Sequence, residues 1–300
     1  MARLGLLLAV AVWGASFIAT KLALREVSPA VIVFGRNAFG ALLLAGIVWR
    51  STGMRWLPLR VWPSLALLGF LGTTFHQWLQ ATGLQTASAT VTAWIVTTVP
   101  VFVALLGWLF LKERIGGQRV VGMLVAALGV TLVASKGRPV QLFAGQVGTS
   151  GDGLIVLSAL NWAVYTVVSK RLISSGFPGS ARGADTGSTP LLLLLYGVFF
   201  GWLLSVPWLL SDGGWRRLAS LSPTGWGALV FLGLACSGLA YLFWYRGLES
   251  VDATQVGAFL YLEPLVTTAL AASVLGEPVT APVALGGAAI LLGVWLVNRG

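Results

Sequence analysis

Apolar stretches of about twenty residues follow one another along almost the whole chain, separated by short segments where Arg, Pro, Gly and Ser gather. The stretches are continuous, without the polar–apolar alternation of barrel strands, so they predict helices. Ten can be drawn, at roughly 4–24, 31–49, 61–83, 88–111, 118–135, 151–173, 189–210, 223–247, 252–275 and 281–298. About 20 helical residues cross the hydrocarbon core of a bilayer, and a spanning backbone without water has to satisfy its own polar groups. The pattern therefore predicts an all-α, polytopic membrane protein with ten transmembrane helices. Its loops are too short to hold a soluble domain, which leaves function to the bundle.

Composition supports this: 57% of the 300 residues are hydrophobic and 9% charged, where soluble domains carry about a quarter charged. The single Cys236 lies in the eighth stretch, so no intrachain disulfide can form. The net charge of +10 is spread thinly over loops. It reads as membrane orientation, with no nucleic-acid partner. With the N-terminus inside, twelve of the 19 Lys and Arg fall on the cytoplasmic side and seven, Lys21 and Arg36 among them, on or toward the other. This favours cytoplasmic termini in a bacterial inner membrane. The first stretch also resembles a secretory signal peptide.

An internal repeat argues against its cleavage. From Gly83 onward the halves align at an offset of 164 residues: Gly83, Ala89, Thr90, Pro100, Glu113, Gly122 and Gly129 match Gly247, Ala253, Thr254, Pro264, Glu277, Gly286 and Gly293. Nearer the start, Trp13 and Lys21 answer Trp162 and Lys170 at an offset of 149. The chain thus divides into two five-helix units, residues 1–140 and 141–300. Because five is odd, the second unit inserts upside down, and inverted repeats are an architecture of secondary transporters.

Polar side chains within spans normally face the bundle interior, since a charge facing lipid at mid-bilayer costs about 2.5–3.5 kcal/mol. In the third stretch Gly69, Gly72, His76, Gln80 and Gly83 recur at helical spacing. The sixth offers Ser158, Trp162, Tyr165 and Ser169, and the first Trp13, Ser16 and Thr20. Tyr241, Trp244 and Tyr245 cluster in the eighth, and Trp94 lies in the fourth. The expected pathway residues are Trp13, Ser16, His76, Gln80, Trp94, Trp162, Tyr165, Tyr241 and Tyr245. Aromatic faces offer nondirectional contact and attract an ammonium, while His, Gln, Ser and Tyr offer hydrogen bonds. Trp and Tyr also serve as interfacial belts and packing residues.

Glu263 is the only acid well within a span, and three readings stand side by side. It binds a proton or cation, with His76 the other candidate proton site; it bonds backbone groups freed by Pro264; or it pairs with Arg36 or Lys21. Pro100 and Pro264 should bend the fourth and ninth helices and act as hinges. Glu113 and Glu277 lie at helix ends, where a bond to loop backbone is expected. Gly122-x-x-x-Ala126 and Ala289-x-x-x-Gly293 are small-residue packing faces.

These features resemble the drug/metabolite transporter superfamily, specifically its EamA-type ten-helix members. The resemblance is carried by W-G-A-S-F in the first stretch, P-V-F-V-A-L-L-G-W-L-F-L-K-E-R at 100–114, its partner E-P-L-V-T-T-A-L-A-A-S-V-L-G-E-P at 263–278, and the closing Gly pairs. Within the superfamily the aromatic lining is similar to that of the aromatic amino-acid exporters known as YddG. The resemblance implies a basket-like bundle with the first, third, fourth, sixth, eighth and ninth helices around a central cavity and the fifth and tenth at the periphery. The second and seventh stretches do not align convincingly, and the resemblance implies nothing for them.

The expected function is export of amino acids and related small metabolites by alternating access, in contact with membrane lipid, without metal or cofactor. The sequence leaves oligomeric state open. Efflux of lipophilic cations, leaning on Glu263, is the alternative within transport. An intramembrane enzyme using His76 would need a partner motif such as H-E-x-x-H or G-x-S-x-G, and neither occurs.

Overall fold

The computed structural model describes residues 2–51, 53, 56–111, 116–138, 148–174, 189–250 and 259–299, with the backbone alone described at 111, 170–174, 189–190, 245, 248–250 and 298. Helices fill these residues, and no strand occurs among them. Helix α1 is Ala2–Ala23 and α2 is Pro29–Ser51. The third stretch is helical from end to end, as α3 (Trp62–Gly69), a wide π turn (Phe70–Phe75) and α4 (His76–Gly83). Then come α5 (Ala89–Val96), α6 (Val99–Leu111) and α7 (Gly117–Ala134).

In the second half α8 is Ser150–Ser174 and α9 is Thr189–Asp212. Helix α10 (Pro223–Val230) leads through a second π segment (Phe231–Leu239) into α11 (Ala240–Ser250). Helix α12 (Glu263–Leu270) ends in a third π segment (Ala271–Leu275), and α13 is Ala281–Arg299.

Seven helices among the described residues are long and apolar enough to cross a membrane. The stretch Trp62–Gly83 is diluted by His76, Gln77 and Gln80, and the last two form shorter apolar helices, Leu260–Leu275 and Ala281–Val297. Side-chain caps set two of the starts. Ser88 Oγ accepts the Val91 N–H at 3.1 Å and Ser222 Oγ the Gly225 N–H at 3.1 Å.

The two halves are interleaved. Helix α1 packs against α11 and α8 against α4, so the first helix of each half lies on the third stretch of the other. Helices α2 and α9 pack on each other, α2 also on Phe231–Leu239 and α9 on α3 and Phe70–Phe75. Glycines permit this closeness: a Cβ on Gly69 would lie 2.5 Å from the Gly197 carbonyl, and one on Gly40 would lie 2.8 Å from Ser237 Cβ.

The small-residue faces of α7 and α13 meet each other. A Cβ on Gly122 would stand 2.6 Å from the Gly293 carbonyl, and one on Gly129 would stand 2.6 Å from that of Gly286. Rising numbers on one helix thus meet falling numbers on the other, an antiparallel pair held by close backbone contact. Their far sides expose Leu124, Leu128, Leu285 and Leu292, the surface expected toward lipid.

Candidate functional site

Two groups of side chains form where the halves cross. In the first, α4 and α8 bring His76 to Ser158: Nδ1 lies 2.9 Å from Ser158 Oγ and 3.2 Å from its carbonyl oxygen. The imidazole lies 4.7 Å from the Trp162 ring, and Trp162 lies 4.9 Å from Tyr165, centroid to centroid. Gly72 makes room for Tyr165, whose ring edge would be 2.8 Å from a Cβ there. The π turn just before His76 frees the Leu71 carbonyl, which accepts Asn161 Nδ2 at 2.7 Å. Such turns are frequent at functional sites because they re-aim the side chains of the next helical turn. Here Gln77 becomes buried with no partner for Oε1 among the described residues, while Gln80 is half-buried.

The second group lies on α1, the Phe231–Leu239 segment and α11. Trp13 Nε1 donates to the Cys236 carbonyl at 3.2 Å, and its ring lies 5.3 Å from Tyr241 and 5.2 Å from Trp244. One residue along, Gly14 lets the Glu263 carbonyl approach to 3.0 Å of where a Cβ would be. Thr267 Oγ1 donates at 2.9 Å to both Gly14 and Glu263 carbonyls, fastening α12 to α1. Ser16 is buried one turn further on. Helix α2 packs on both α4, which carries His76, and Phe231–Leu239, which carries Cys236, so the two groups share a neighbour.

Arg36 differs most from the sequence expectation. It is buried within the protein, 9% exposed on α2, with Nε donating to Ser237 Oγ at 3.2 Å. The signal was present in the stretch V-I-V-F-G-R-N-A-F-G, where one cation stands amid apolar residues. Glu263 has neither a hydrogen bond to its carboxylate nor an ion pair among the described residues, so pairing with Arg36 or Lys21 is not seen.

The other expected residues lie apart. Trp94 is buried against Gly287 in an apolar cluster with Val133 on α7, Ile155 on α8, and Ile290 and Val294 on α13. The side chain of Tyr245 and all of Glu113 lie outside the described residues. Pro100 and Pro264 are each the second residue of a helix, α6 and α12, where a missing N–H costs nothing. The fourth stretch breaks just before, at Thr97 and Thr98, and the ninth passes from a 3₁₀ turn, Leu260–Leu262, into α12.

Glu277 makes the kind of bond expected of it: its two carboxylate oxygens accept the Ala89 and Thr90 N–H groups at 2.8 and 3.0 Å, at the start of α5. It also borders a cavity of about 590 Å³ with Lys21, Leu24, Arg25, Leu84, Gln85 and Leu275. Phe17, Ile18, Leu84, Ala89, Ala93 and Ala271 close into an apolar cluster between this cavity and the level of Trp13. Outside the spans, Glu26 accepts the N–H and hydroxyl of Ser222 at 2.7 and 2.6 Å, which hold its carboxyl below the usual range. Among the described residues no three His, Cys, Asp or Glu converge as metal ligands.

Comparison with known proteins adds a context. The model of the EamA-like transporter family matches residues 1–135 and 149–299. An uncharacterized transporter of Archaeoglobus fulgidus is 30% identical over 299 residues, covering 98% of this chain and 96% of the relative. The uncharacterized transporter YdfC of Bacillus subtilis is 30% identical, with 96% and 87% covered. A protein of Streptantibioticus cattleyicolor named "Probable terminal-alkyne amino-acid exporter" is 28% identical, with 98% and 92% covered. One crystal structure shares the fold at a TM-score of 0.64 and 21% identity, covering 98% of this chain and 94% of that one.

Proposed function

The chain belongs to the EamA-like transporter family, and from that premise we propose that it is a secondary transporter exporting amino acids, aromatic ones among them, and related small metabolites across the bacterial inner membrane. The observation that carries this reading is the meeting of two aromatic and polar groups, His76–Ser158–Trp162–Tyr165 and Trp13–Tyr241–Trp244, where the halves cross. Each group pairs the first helix of one half with the third stretch of the other. A tilt of one half against the other would therefore reshape both groups together, which is what alternating access requires.

The antiparallel crossing of Gly122 with Gly293 and Gly129 with Gly286 supports an inverted relation of units 1–140 and 141–300. These residues are equivalent at the offset of 164. With ten spans both termini face the same side, and the distribution of Lys and Arg favours the cytoplasm as that side. The family matches, 1–135 and 149–299, fall inside the two units. In this reading Trp13, Ser16, His76, Gln80, Trp162, Tyr165 and Tyr241 line the path, Trp94 braces it from α5 against Gly287 of α13, Pro100 and Pro264 are its hinges, and Glu263 takes a proton or the substrate ammonium. The amino-acid assignment leans on the printed name of the Streptantibioticus relative.

The test is counterflow in proteoliposomes with labelled amino acids and lipophilic cations, with and without a pH gradient. Exchange of phenylalanine or tryptophan above protein-free vesicles is expected. Exchange of lipophilic cations alone would transfer the assignment to drug efflux.

A further inference from the structure

Arg36 carries a full positive charge inside the bundle, and it meets no acid there among the described residues. A guanidinium stays protonated even when buried, and a charge at such depth persists only with a partner or in a solvated cavity. Its hydrogen bond among the described residues is to a neutral hydroxyl, Ser237 Oγ at 3.2 Å, and it has no ion pair among them. The bond uses one of five N–H donors, leaving the two terminal amino groups that grip a carboxylate side by side.

Ser237 lies in the π segment Phe231–Leu239, next to Cys236, whose carbonyl holds Trp13. Helix α2 packs on both Phe231–Leu239 and α4, so Arg36 sits on the helix that both aromatic groups have as a neighbour. Glu263, the acid of opposite sign, lies on α12, which packs on α1, and is itself unpaired among the described residues. Lys21 and Arg25, bordering the cavity at the end of α1, have no ion pair among the described residues either. The acid beside them, Glu277, is already bonded to Ala89 and Thr90.

We propose that Arg36 binds the carboxylate of the transported solute, so that carboxylates, α-amino acids first, are the substrate class. This rests on the transport reading and adds to it a group that selects. Three solutes that differ only in charge test it: phenylalanine, 3-phenylpropionate without the amine, and 2-phenylethylamine without the carboxylate. Binding to purified protein would be followed by tryptophan fluorescence and transport by counterflow.

Arg36→Gln is expected to weaken phenylalanine and 3-phenylpropionate at least tenfold and to leave 2-phenylethylamine within about twofold. Arg36→Lys, which keeps the charge without the fork, should show a smaller loss confined to the same two solutes, and it decides the matter if the glutamine variant does not fold. Equal weakening of all three by either variant, or of none, overturns the proposal. A wild-type protein that moves 3-phenylpropionate but no amino acid keeps Arg36 in its role and sinks the amino-acid reading. One that moves only the amine overturns Arg36 and leaves transport standing.

Discussion

His76 and Trp162 belong to opposite halves of the chain, and their rings nevertheless touch, 4.7 Å apart. Spacing alone put both residues on inward faces. It could not put them together, because the contact depends on α8 crossing α4. Nor could it foresee Gln77, since a stripe drawn at 3.6 residues per turn assumes an unbroken α-helix, and the turn at Phe70–Phe75 is wider. Arg36 was legible as a charge within an apolar stretch, but its depth and its bond to Ser237 were not. If the group lines the path, His76→Ala and Trp162→Ala should each slow phenylalanine counterflow at least tenfold while the variants purify as monodisperse protein. Wild-type rates in both would remove these residues from the path.

Helices meet where glycine lets backbones touch, and this governs which elements are neighbours. At Gly129 any side chain would press within 2.6 Å of the Gly286 carbonyl, whereas Gly46 on α2 has nothing within 4 Å. Gly129→Ala should therefore lower stability by roughly 1–3 kcal/mol through overpacking, and Gly46→Ala should cost nothing, being a better helix former. Thermal unfolding of the two purified variants decides, and equal midpoints would mean that α7 and α13 part easily. The same contacts align the stretches that sequence comparison left unaligned. Gly40 on α2 faces Ser237 and Gly201 on α9 faces Thr73, and Thr73 and Ser237 are themselves 164 residues apart. The second and seventh stretches thus each place a glycine against a small hydroxyl residue of the other half's third stretch, although their sequences do not align.

Across the whole molecule, ties between the halves recur at the ends of helices. Glu26, after α1, holds Ser222 at the start of α10, and Glu277, before α13, holds the start of α5. The sign of the pH dependence comes from the depressed carboxyl of Glu26. Its stabilisation is complete above the ordinary value near 4.5 and is lost as pH falls through the lower folded value. Wild-type protein should accordingly unfold at a higher temperature than Glu26→Gln at pH 7, and the gap should close as pH drops below about 4.5. A gap independent of pH would mean that the carboxylate charge is not what ties the halves.

Hydrophobic runs are local, and so the sequence by itself determined that the chain is helical and belongs in a membrane. It also carries matching Gly, Pro and Glu at a constant offset, which is the ground for proposing two related units. Which half supplies the partner of each helix was decided only in three dimensions. Apolar side chains pack against any neighbour of fitting shape, and in lipid no hydrophobic gradient favours one helix over another, so small-residue contacts and hydrogen bonds at crossings do the choosing. That choice sets Trp13 on Tyr241, His76 on Ser158 and Arg36 beside Ser237, and with them the chemistry the bundle can offer a solute.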